Sequence, residues 1–346
     1  MDTFTATNAR MMRLRSEIVA HPEQHRILTG ERPTGRLHLG HLFGTILERV
    51  RLQKAGVETF VVLADYQVIT DRESPGEVRA NILEAVRDNL AAGLDPERTV
   101  FFTHSSIPEL NQLLLPFLSL VTEAELHRNP TVKAEAQDSG RALSGLLLTY
   151  PVHQAADILF CKGTLVPVGK DNLPHVEMTR TVARRFNERY GAVFPVPEGL
   201  VTDSPELPGL DGRKMSKSHG NGIALGMSEE ETAVAIRRAR TDSERLIAYD
   251  PVRRPGVAGL LRTAATCLGV APEEVAARIG TGGSAELKRV TTTAVNDFLR
   301  AHRERRARIS PEDAAAAIRA GNARARRVAV DTLDEVRAAM GMRYGF

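Results

Sequence analysis

The fold is decided by residues 26–41, which read RILTGERPTGRLHLGH. Residues 26–29 predict a short strand that ends at Gly30. Proline and glycine then turn the chain, and a helix is predicted to begin near His38. A strand that passes through a tight turn into a helix is typical of a parallel, Rossmann-like sheet, where ligands gather at the carboxyl ends of the strands.

The same alternation of strands and helices continues through the first half of the chain. Three further buried strands are predicted, over 59–64, 99–102 and 165–168. Helical patterns lie around them, over 40–54, 75–92, 107–120 and 151–160. The spacing therefore predicts an α/β fold with a Rossmann-like parallel sheet in the first domain.

The strand signal stops at about residue 227, and the rest of the chain is predicted to be helical. Ser228 with Glu231 predicts a capping box. Ser310 before Pro311 predicts an N-cap followed by proline in the first turn. Residues 280–284 (GTGGS) are predicted to be a flexible loop. We therefore expect an N-terminal extension (1–20), a sheet domain (21–223) and an all-helical domain (224–346).

Composition favours an ordinary globular protein. The chain has 346 residues, 42% hydrophobic and 26% charged, with no apolar run of about 18 residues that would predict a membrane helix. The start carries no secretory signal pattern, and the isolated Cys161 and Cys267 indicate neither a zinc site nor a disulfide framework. We therefore expect a cytoplasmic protein without a membrane partner. A pI of about 9.0 permits a polyanionic partner.

The first motif that carries chemistry is the His-Leu-Gly-His sequence at 38–41. His38 and His41 are three positions apart, so they share a face of the first helical turn. Free N–H groups at a helix start suit a phosphate, and Gly40 lets a flat base approach the backbone closely. The alternative interpretation is a loop with two surface histidines.

The second motif is GRKMSKS at 212–218. Only seven of the 46 basic residues are lysines, yet Lys214 and Lys217 lie three positions apart. Two ammonium groups on a mobile loop suit the charge that builds on a departing pyrophosphate. The alternative is a basic surface loop, which the scarcity of lysine elsewhere disfavours.

Together the two motifs resemble the signature pair of class I aminoacyl-tRNA synthetases. Further segments are similar to the tryptophanyl members of that family: LADYQVIT at 63–70, YPVHQAADI at 150–158, VPVGKDN at 166–172, HVEMTR at 175–180, and TDS, YDP and PGV between 241 and 257. The resemblance covers the chain from about residue 26. It implies that the protein activates L-tryptophan with ATP and transfers it to tRNA(Trp).

One predicted helix face suits the amino acid. Tyr150, Gln154 and Asp157 stand at i, i+4 and i+7, and Pro151 is expected to be the first helical residue, with Tyr150 at the start of the helix. A carboxylate that faces a pocket accepts an indole N–H. The resemblance implies this role for Asp157. It also implies that Tyr150, Gln154 and Gln67 hold the ammonium and carboxylate groups, while the ring lies among Leu28, Gly30, Val166 and Val168.

The resemblance also implies the nucleotide site. His38, His41, Lys214 and Lys217 would be the catalytic residues that stabilise the phosphates. The remaining ATP-binding residues would be Arg32, Thr34, Gly40, Gly169, Asp171, Asn172, Met215, Ser216 and Ser218. Mg²⁺ would arrive with ATP, so no metal site built by the protein is expected.

The helical domain is expected to contact tRNA, and the resemblance implies a homodimer. The nine arginines between residues 300 and 327 suit tRNA phosphates: Arg300, Arg303, Arg305, Arg306, Arg308, Arg319, Arg324, Arg326 and Arg327. On charge alone, solvated helix faces explain these arginines equally well.

Three other functions stay open at this point. A tyrosyl-tRNA synthetase would be expected to present a hydroxyl from the first strand, where Leu28 stands. A non-catalytic paralogue that binds tRNA or nucleotide would be expected to have degraded motifs, and both are intact. A generic Rossmann nucleotide binder does not explain the lysine motif, and no GxGxxG follows the first strand.

Overall fold

The computed structural model describes residues 3–70, 74, 76–139, 142–169, 172–201, 207–213, 215–217 and 219–345. Within these ranges one five-stranded sheet forms, with every neighbouring pair parallel. Its strands are β1 (Arg26–Glu31), β2 (Glu58–Leu63), β3 (Thr99–Thr103), β4 (Leu165–Val168) and β5 (Glu198–Val201). The strand order is β3-β2-β1-β4-β5. The predicted Rossmann-like parallel sheet is confirmed.

Both faces of the sheet are covered by apolar residues, as a parallel sheet requires. Along β2, Phe60 and Val62 pack into one hydrophobic core, while Val61 and Leu63 pack into the other. Successive side chains of a strand point to opposite faces, so a continuous apolar run fills both cores. The strands were predictable for this reason.

Helices surround the sheet and make up the second half of the chain. Those of the first half are α1 (Thr3–Ala20), α2 (Leu39–His41), α3 (Leu47–Ala55), α4 (Val78–Ala92), α5 (Pro108–Gln112), α6 (Leu114–Leu118), α7 (Glu123–Arg128), α8 (Pro130–Ser139), α9 (Gly145–Phe160) and α10 (Leu173–Tyr190). A π-helical turn, Leu42–Ile46, joins α2 to α3. The second half contains α11 (Glu229–Arg237), α12 (Pro255–Leu268), α13 (Pro272–Ile279), α14 (Gly283–Ala307) and α15 (Pro311–Ala339). No helix in the described ranges combines the length and apolarity needed to cross a bilayer.

The predicted start of α9 was wrong. The helix begins at Gly145, where the Ser144 hydroxyl caps it by accepting from the Leu147 N–H at 3.1 Å. Pro151 therefore lies inside the helix, and Tyr150 lies in its second turn. A proline inside a helix removes one backbone hydrogen bond. The favourable cap and the burial of the apolar turn that follows it outweigh that loss.

Three other expectations were incomplete or wrong. The short strand β5 was not predicted. The helix predicted over 107–120 is broken into α5 and α6, because a restart at Leu114 keeps Pro116 in a first turn, where no backbone donor is needed. Residues 280–284 are not a loop: Gly280–Gly282 forms a 3-10 turn, and α14 begins at Gly283. The predicted caps at Ser228 and Ser310 are confirmed.

The two halves of the chain share one core. Val61, Leu63 and Phe101 of the sheet belong to the same apolar cluster as Leu260 and Leu299 of the helical part. The boundary predicted at residue 223 therefore separates strands from helices in sequence, while the packing is continuous.

Helix α15 returns to the sheet and lies along the edge strand β3. A Cβ at Gly321 would overlap the backbone carbonyl of Phe101, so only glycine permits this close approach. The Asn322 side-chain oxygen accepts from the Thr103 backbone N–H at 3.1 Å. The helix therefore covers an edge that would otherwise expose unpaired backbone groups.

Candidate active site

A cavity of about 250 Å³ opens at the carboxyl ends of β1 and β4. The strand order runs outward in opposite directions from this pair, which makes it the point where ligands bind in open parallel sheets. The cavity volume lies near the lower end of the roughly 300–1,000 Å³ common for small-molecule sites.

All eight residues predicted to hold the amino acid line this one cavity: Leu28, Gly30, Gln67, Tyr150, Gln154, Asp157, Val166 and Val168. They come from β1, β4, α9 and the 3-10 turn Tyr66–Ile69 after β2. Three of the residues predicted for the nucleotide, Arg32, Gly169 and Asn172, line the same cavity. The structure therefore brings together residues that are distant in sequence.

Helix α9 presents the face that the sequence predicted, although the helix begins earlier. Tyr150, Gln154 and Asp157 all border the cavity. The Tyr150 hydroxyl lies 3.3 Å from Nε2 of His175, which also lines the cavity. Burial raises the pKa of the Tyr150 hydroxyl above its ordinary value, so this group remains a hydrogen-bond donor at neutral pH.

Asp157 has a buried histidine partner that the sequence interpretation missed. Nε2 of His104 lies 2.9 Å from Oδ1 of Asp157, and both side chains are buried. Burial opposes the charged form of this imidazole, but the Asp157 carboxylate outweighs burial and raises the pKa of His104. The signal available in the sequence was the position of His104, directly after β3, where functional groups gather in such sheets.

A second missed histidine orients Gln67. Oδ1 of Asn111 accepts from Nε2 of His153 at 2.8 Å, so Nδ1 of His153 accepts from the Gln67 amide nitrogen, also at 2.8 Å. Burial lowers the pKa of His153, which agrees with a neutral ring that donates once and accepts once. One of the two Gln67 amide N–H groups is therefore used, which leaves the other N–H and the carbonyl oxygen for the cavity.

A buried ion pair between Arg49 and Glu31 lies between the cavity and the first motif. Nη1 of Arg49 lies 2.8 Å from Oε1 of Glu31, and Arg49 also donates to Thr29 and Asn89. Burial raises the pKa of Glu31, but Arg49 and then His41 outweigh it, so the net shift is downward. The sequence signal was a charge at position 49, on the buried face of a predicted helix.

The two histidines of the first motif meet at the start of a helical run. Their ring centroids are 3.8 Å apart, and the His38 backbone N–H donates to Nδ1 of His41 at 3.2 Å. Burial, helped by the neighbouring positive charges, lowers the pKa of His38 to about 3, and burial lowers that of His41 to about 4. A Cβ at Gly40 would lie 3.0 Å from Nδ1 of His38, so glycine leaves room for this ring.

The second motif lies against the first. Nζ of Lys217 donates to the Arg32 carbonyl oxygen at 2.9 Å, and the Leu39 N–H donates to the Ile223 carbonyl at 3.0 Å. Met215 is buried, and the Ser216 N–H donates to the side-chain oxygen of Asn221 at 2.9 Å. The loop is therefore held beside the turn that contains His38.

Not every predicted nucleotide residue reaches the cavity. Thr34, Gly40, Met215 and Ser216 lie in the two motif segments beside it rather than on its wall. Lys214, Ser218 and Asp171, which the sequence also predicted, lie outside the residues that the structure describes.

Comparison with known proteins gives a consistent family. A family model described as tRNA synthetases class I (W and Y) matches residues 21–300. The chain therefore belongs to the class I tRNA synthetases of the tryptophan and tyrosine group.

Within that group, its relatives are tryptophan–tRNA ligases. The enzyme of Treponema pallidum is 43% identical over 331 residues, which cover 92% of this chain and 97% of the relative. The enzyme of Thermotoga maritima is 45% identical over 230 residues, which cover 65% and 70%. Among solved structures, the tryptophanyl-tRNA synthetase of Campylobacter jejuni, complexed with ADP and tryptophan, has a TM-score of 0.79 and 30% identity, and the match covers 91% of this chain and 99% of that one.

Proposed function

We propose that this chain is a tryptophan–tRNA ligase. It activates L-tryptophan with ATP to tryptophanyl-adenylate and pyrophosphate, and then transfers the tryptophanyl group to the 3′-terminal ribose of tRNA(Trp). The observation that carries this proposal is the cavity itself: eight residues selected from the sequence for tryptophan line one pocket with a buried carboxylate.

Recognition of the side chain rests on shape and one hydrogen bond. Leu28, Val166 and Val168 give the pocket apolar walls, while Asp157 is the carboxylate that accepts the indole N–H. A tyrosine in the same position would leave its phenol without a partner on the Leu28 side. Leaving a buried polar group unpaired is costly, so the pocket selects tryptophan.

The other end of the amino acid is held by polar groups. The Gln67 carbonyl oxygen and the side chains of Tyr150 and Gln154 border the cavity where the ammonium and carboxylate groups would lie. No general base is required, because the tryptophan carboxylate is already a nucleophile. It attacks the α-phosphorus of ATP, and the bond to the leaving pyrophosphate breaks.

Activation of ATP depends mainly on positioning and on stabilising charge. His38 and His41 are neutral at pH 7, so they act as hydrogen-bond donors to phosphate rather than as cations. Lys217 supplies positive charge from the second motif, and Lys214 and Ser218 are proposed to assist from the same loop. Gly169, Asp171 and Asn172 are proposed to hold the ribose and adenylate, and Mg²⁺ would enter bound to ATP.

Transfer to tRNA is proposed to involve the helical part, with fewer arginines than the sequence suggested. Several have partners within the chain: Arg306 pairs with Asp88 and Glu84, and Arg326 with Glu109. Arg308 and Arg327 make no ion pair within the described residues and are the better candidates for tRNA phosphates. A cytoplasmic homodimer is part of the same proposal.

The proposal is tested by ATP–pyrophosphate exchange with each of the twenty amino acids. Wild type should exchange with tryptophan alone. Asp157→Ala should lower kcat/KM for tryptophan by about 10- to 150-fold, the equivalent of a hydrogen bond to a charged acceptor of roughly 1.5–3 kcal/mol.

The matched control is Asp88→Ala, which removes an equally buried aspartate from the helical interface. It should lower thermal stability while leaving KM for tryptophan unchanged. Exchange with tyrosine would move the protein to the sister enzymes. Absence of exchange in a folded protein that still binds tRNA would instead favour a non-catalytic paralogue.

A further inference from the structure

Three titratable side chains form a cluster behind the indole end of the cavity. His104, His153 and Asp157 are all buried, and their ligand atoms lie within 4.8 Å of one another. The two imidazole rings are 4.6 Å apart between centroids. His153 orients Gln67 and Asp157 is the proposed indole acceptor, so His104 is the member without a role so far; of the three, only Asp157 lines the cavity.

We propose that His104 is a positioning residue for amino acid recognition: the contact between its imidazole and the Asp157 carboxylate fixes the orientation in which that carboxylate meets the indole N–H. This inference rests on the proposed function. Its direct support is the ion-pair distance of 2.9 Å between Nε2 of His104 and Oδ1 of Asp157. A recognition group held by a second polar contact loses less freedom when it binds its ligand.

The charges around His104 favour this role. The groups that face it are Asp157 and His153 from α9, and Asp65 and Tyr66 from the turn after β2. The Asp157 and Asp65 carboxylates both raise the pKa of His104, and His153 is neutral. The Asp157 carboxylate therefore faces the His104 imidazole, and a carboxylate is a stronger acceptor for an indole N–H than a neutral group.

The position of His104 is itself fixed. It lies in the 3-10 turn His104–Ser106 at the end of β3, and its carbonyl oxygen accepts from the Asn111 side-chain nitrogen at 2.9 Å. The oxygen of that same amide receives the His153 N–H. Asn111 therefore fixes the positions of His104 and His153 relative to each other.

For His153, hydrogen bonding accounts for the position of the ring better than a bound cation does. Both ring nitrogens of His153 have partners, Gln67 on one side and Asn111 on the other, at 2.8 Å each. A cation would need one of those bonds to break. The His153 ring instead connects Gln67, which lines the cavity, to Asn111 behind it.

The test compares tryptophan with its isostere in which sulfur replaces the indole nitrogen, so that the N–H is missing. In ATP–pyrophosphate exchange, His104→Leu should raise KM for tryptophan about tenfold or more. The KM for the sulfur isostere should stay within about twofold, since that ligand never uses the oriented carboxylate. A merely structural role would raise both values equally.

His104→Gln keeps a side-chain donor and guards against loss of folding in the leucine variant. It should hold KM for tryptophan within about threefold of wild type.

The matched control is His302→Leu, which removes a buried histidine 3.7 Å from Asp88, away from the cavity. It should not distinguish the two ligands. An equal loss for both ligands in His104→Leu, no loss for either, or a failure of His104→Gln to keep KM for tryptophan near its wild-type value would overturn the inference. Failure of wild type to exchange with tryptophan would instead overturn the proposed function.

Discussion

At the scale of single residues, the two histidines of the first motif carry no formal charge at pH 7. Both have lowered pKa values because they are buried, His38 at about 3 and His41 at about 4. In the phosphate site that we propose, they would therefore contribute hydrogen bonds, and the positive charge would come from lysine. Substitution of either histidine by asparagine or glutamine keeps a donor, whereas alanine removes it.

The lowered pKa values predict how stability depends on pH. The unfolded chain protonates these histidines near pH 6.5, but the folded protein does so only near pH 3–4. Between those values the unfolded state binds more protons, so stability falls as pH falls. His38→Asn should reduce the loss of unfolding free energy between pH 7 and pH 5 by about 1–2 kcal/mol.

Chemical denaturation of wild type and variant at the two pH values measures this difference. The control is His21→Asn, because the His21 side chain is 58% exposed and is hydrated in both states. His21→Asn should lose as much unfolding free energy between pH 7 and pH 5 as the wild-type protein does. If His38→Asn also lost as much unfolding free energy as wild type, the His38 ring of the wild-type protein would not be neutral in the folded state.

At the same scale, the sequence predicted the ligand-facing residues but not the residues behind them. Helical spacing placed Asp157 and Gln154 on one face, and the family resemblance identified that face as the one for the amino acid. Gln67 and His153 meet across 86 positions of sequence, and no local pattern relates them. Contacts of this kind depend on strand order, which a single sequence does not reveal.

Among the elements, the loop of the second motif is held by one amide. Asn221 accepts from the Ser216 N–H through its oxygen and donates to Oδ1 of Asp211 at 2.8 Å through its nitrogen. Asn221→Asp would place two carboxylates face to face. We expect kcat for exchange to fall about tenfold or more, because small displacements of catalytic loops are costly.

KM for tryptophan should change less than twofold in that variant, because neither Asn221 nor Asp211 lines the cavity. The double variant Asn221→Asp with Asp211→Asn exchanges the donor and the acceptor, and should recover most of the lost rate. If the double variant did not recover kcat, the Asn221 amide would not act through Asp211.

Helix α9 shows why element boundaries were harder to predict than element types. Pro151 is a good first residue for a helix, and the sequence interpretation used it so. The cap at Ser144 starts the helix earlier, because the cap and the burial of Leu147 and Tyr150 together outweigh what the proline removes. The face that carries Tyr150 and Asp157 is the same in both cases, so the functional prediction did not depend on the boundary.

Over the whole molecule, the sheet and the helical part depend on each other. Gly321 of α15 touches the backbone of Phe101 in β3, and no side chain fits between them. Gly321→Ala improves helix propensity by up to about 1 kcal/mol. We nevertheless expect a net destabilisation of about 1–3 kcal/mol, because the helix must move away from the strand.

Thermal unfolding checks this prediction, with Gly44→Ala as the control. Gly44 lies in the π-helical turn, and a Cβ there would meet no atom within 4 Å. That variant should be neutral or slightly more stable. Equal melting temperatures for wild type and Gly321→Ala would show that α15 adjusts without loss.

The arginine-rich second half was the part that sequence reasoning interpreted least well. Its charge suggested a nucleic acid surface, but Arg306 donates to Asp88 and pairs with Glu84 of α4, and Arg305 also bonds to this helix. Charge counted along a sequence does not separate cations that face a partner from cations that join two parts of one fold. The sheet itself was predictable, because buried parallel strands carry an apolar pattern of their own.

The packing of α15 along β3 has a consequence for synthesis of the protein on the ribosome. Asn322 and Thr103, which join the two elements, lie 219 positions apart. Domains begin to fold while translation proceeds, at about 5–20 residues per second. Even at the faster rate, strand β3 would therefore wait roughly ten seconds for α15, and during that time the edge of the nascent sheet would be uncovered. Chaperones that shield such edges should matter most in this interval, and messages that stall before the helix is made should yield aggregating fragments.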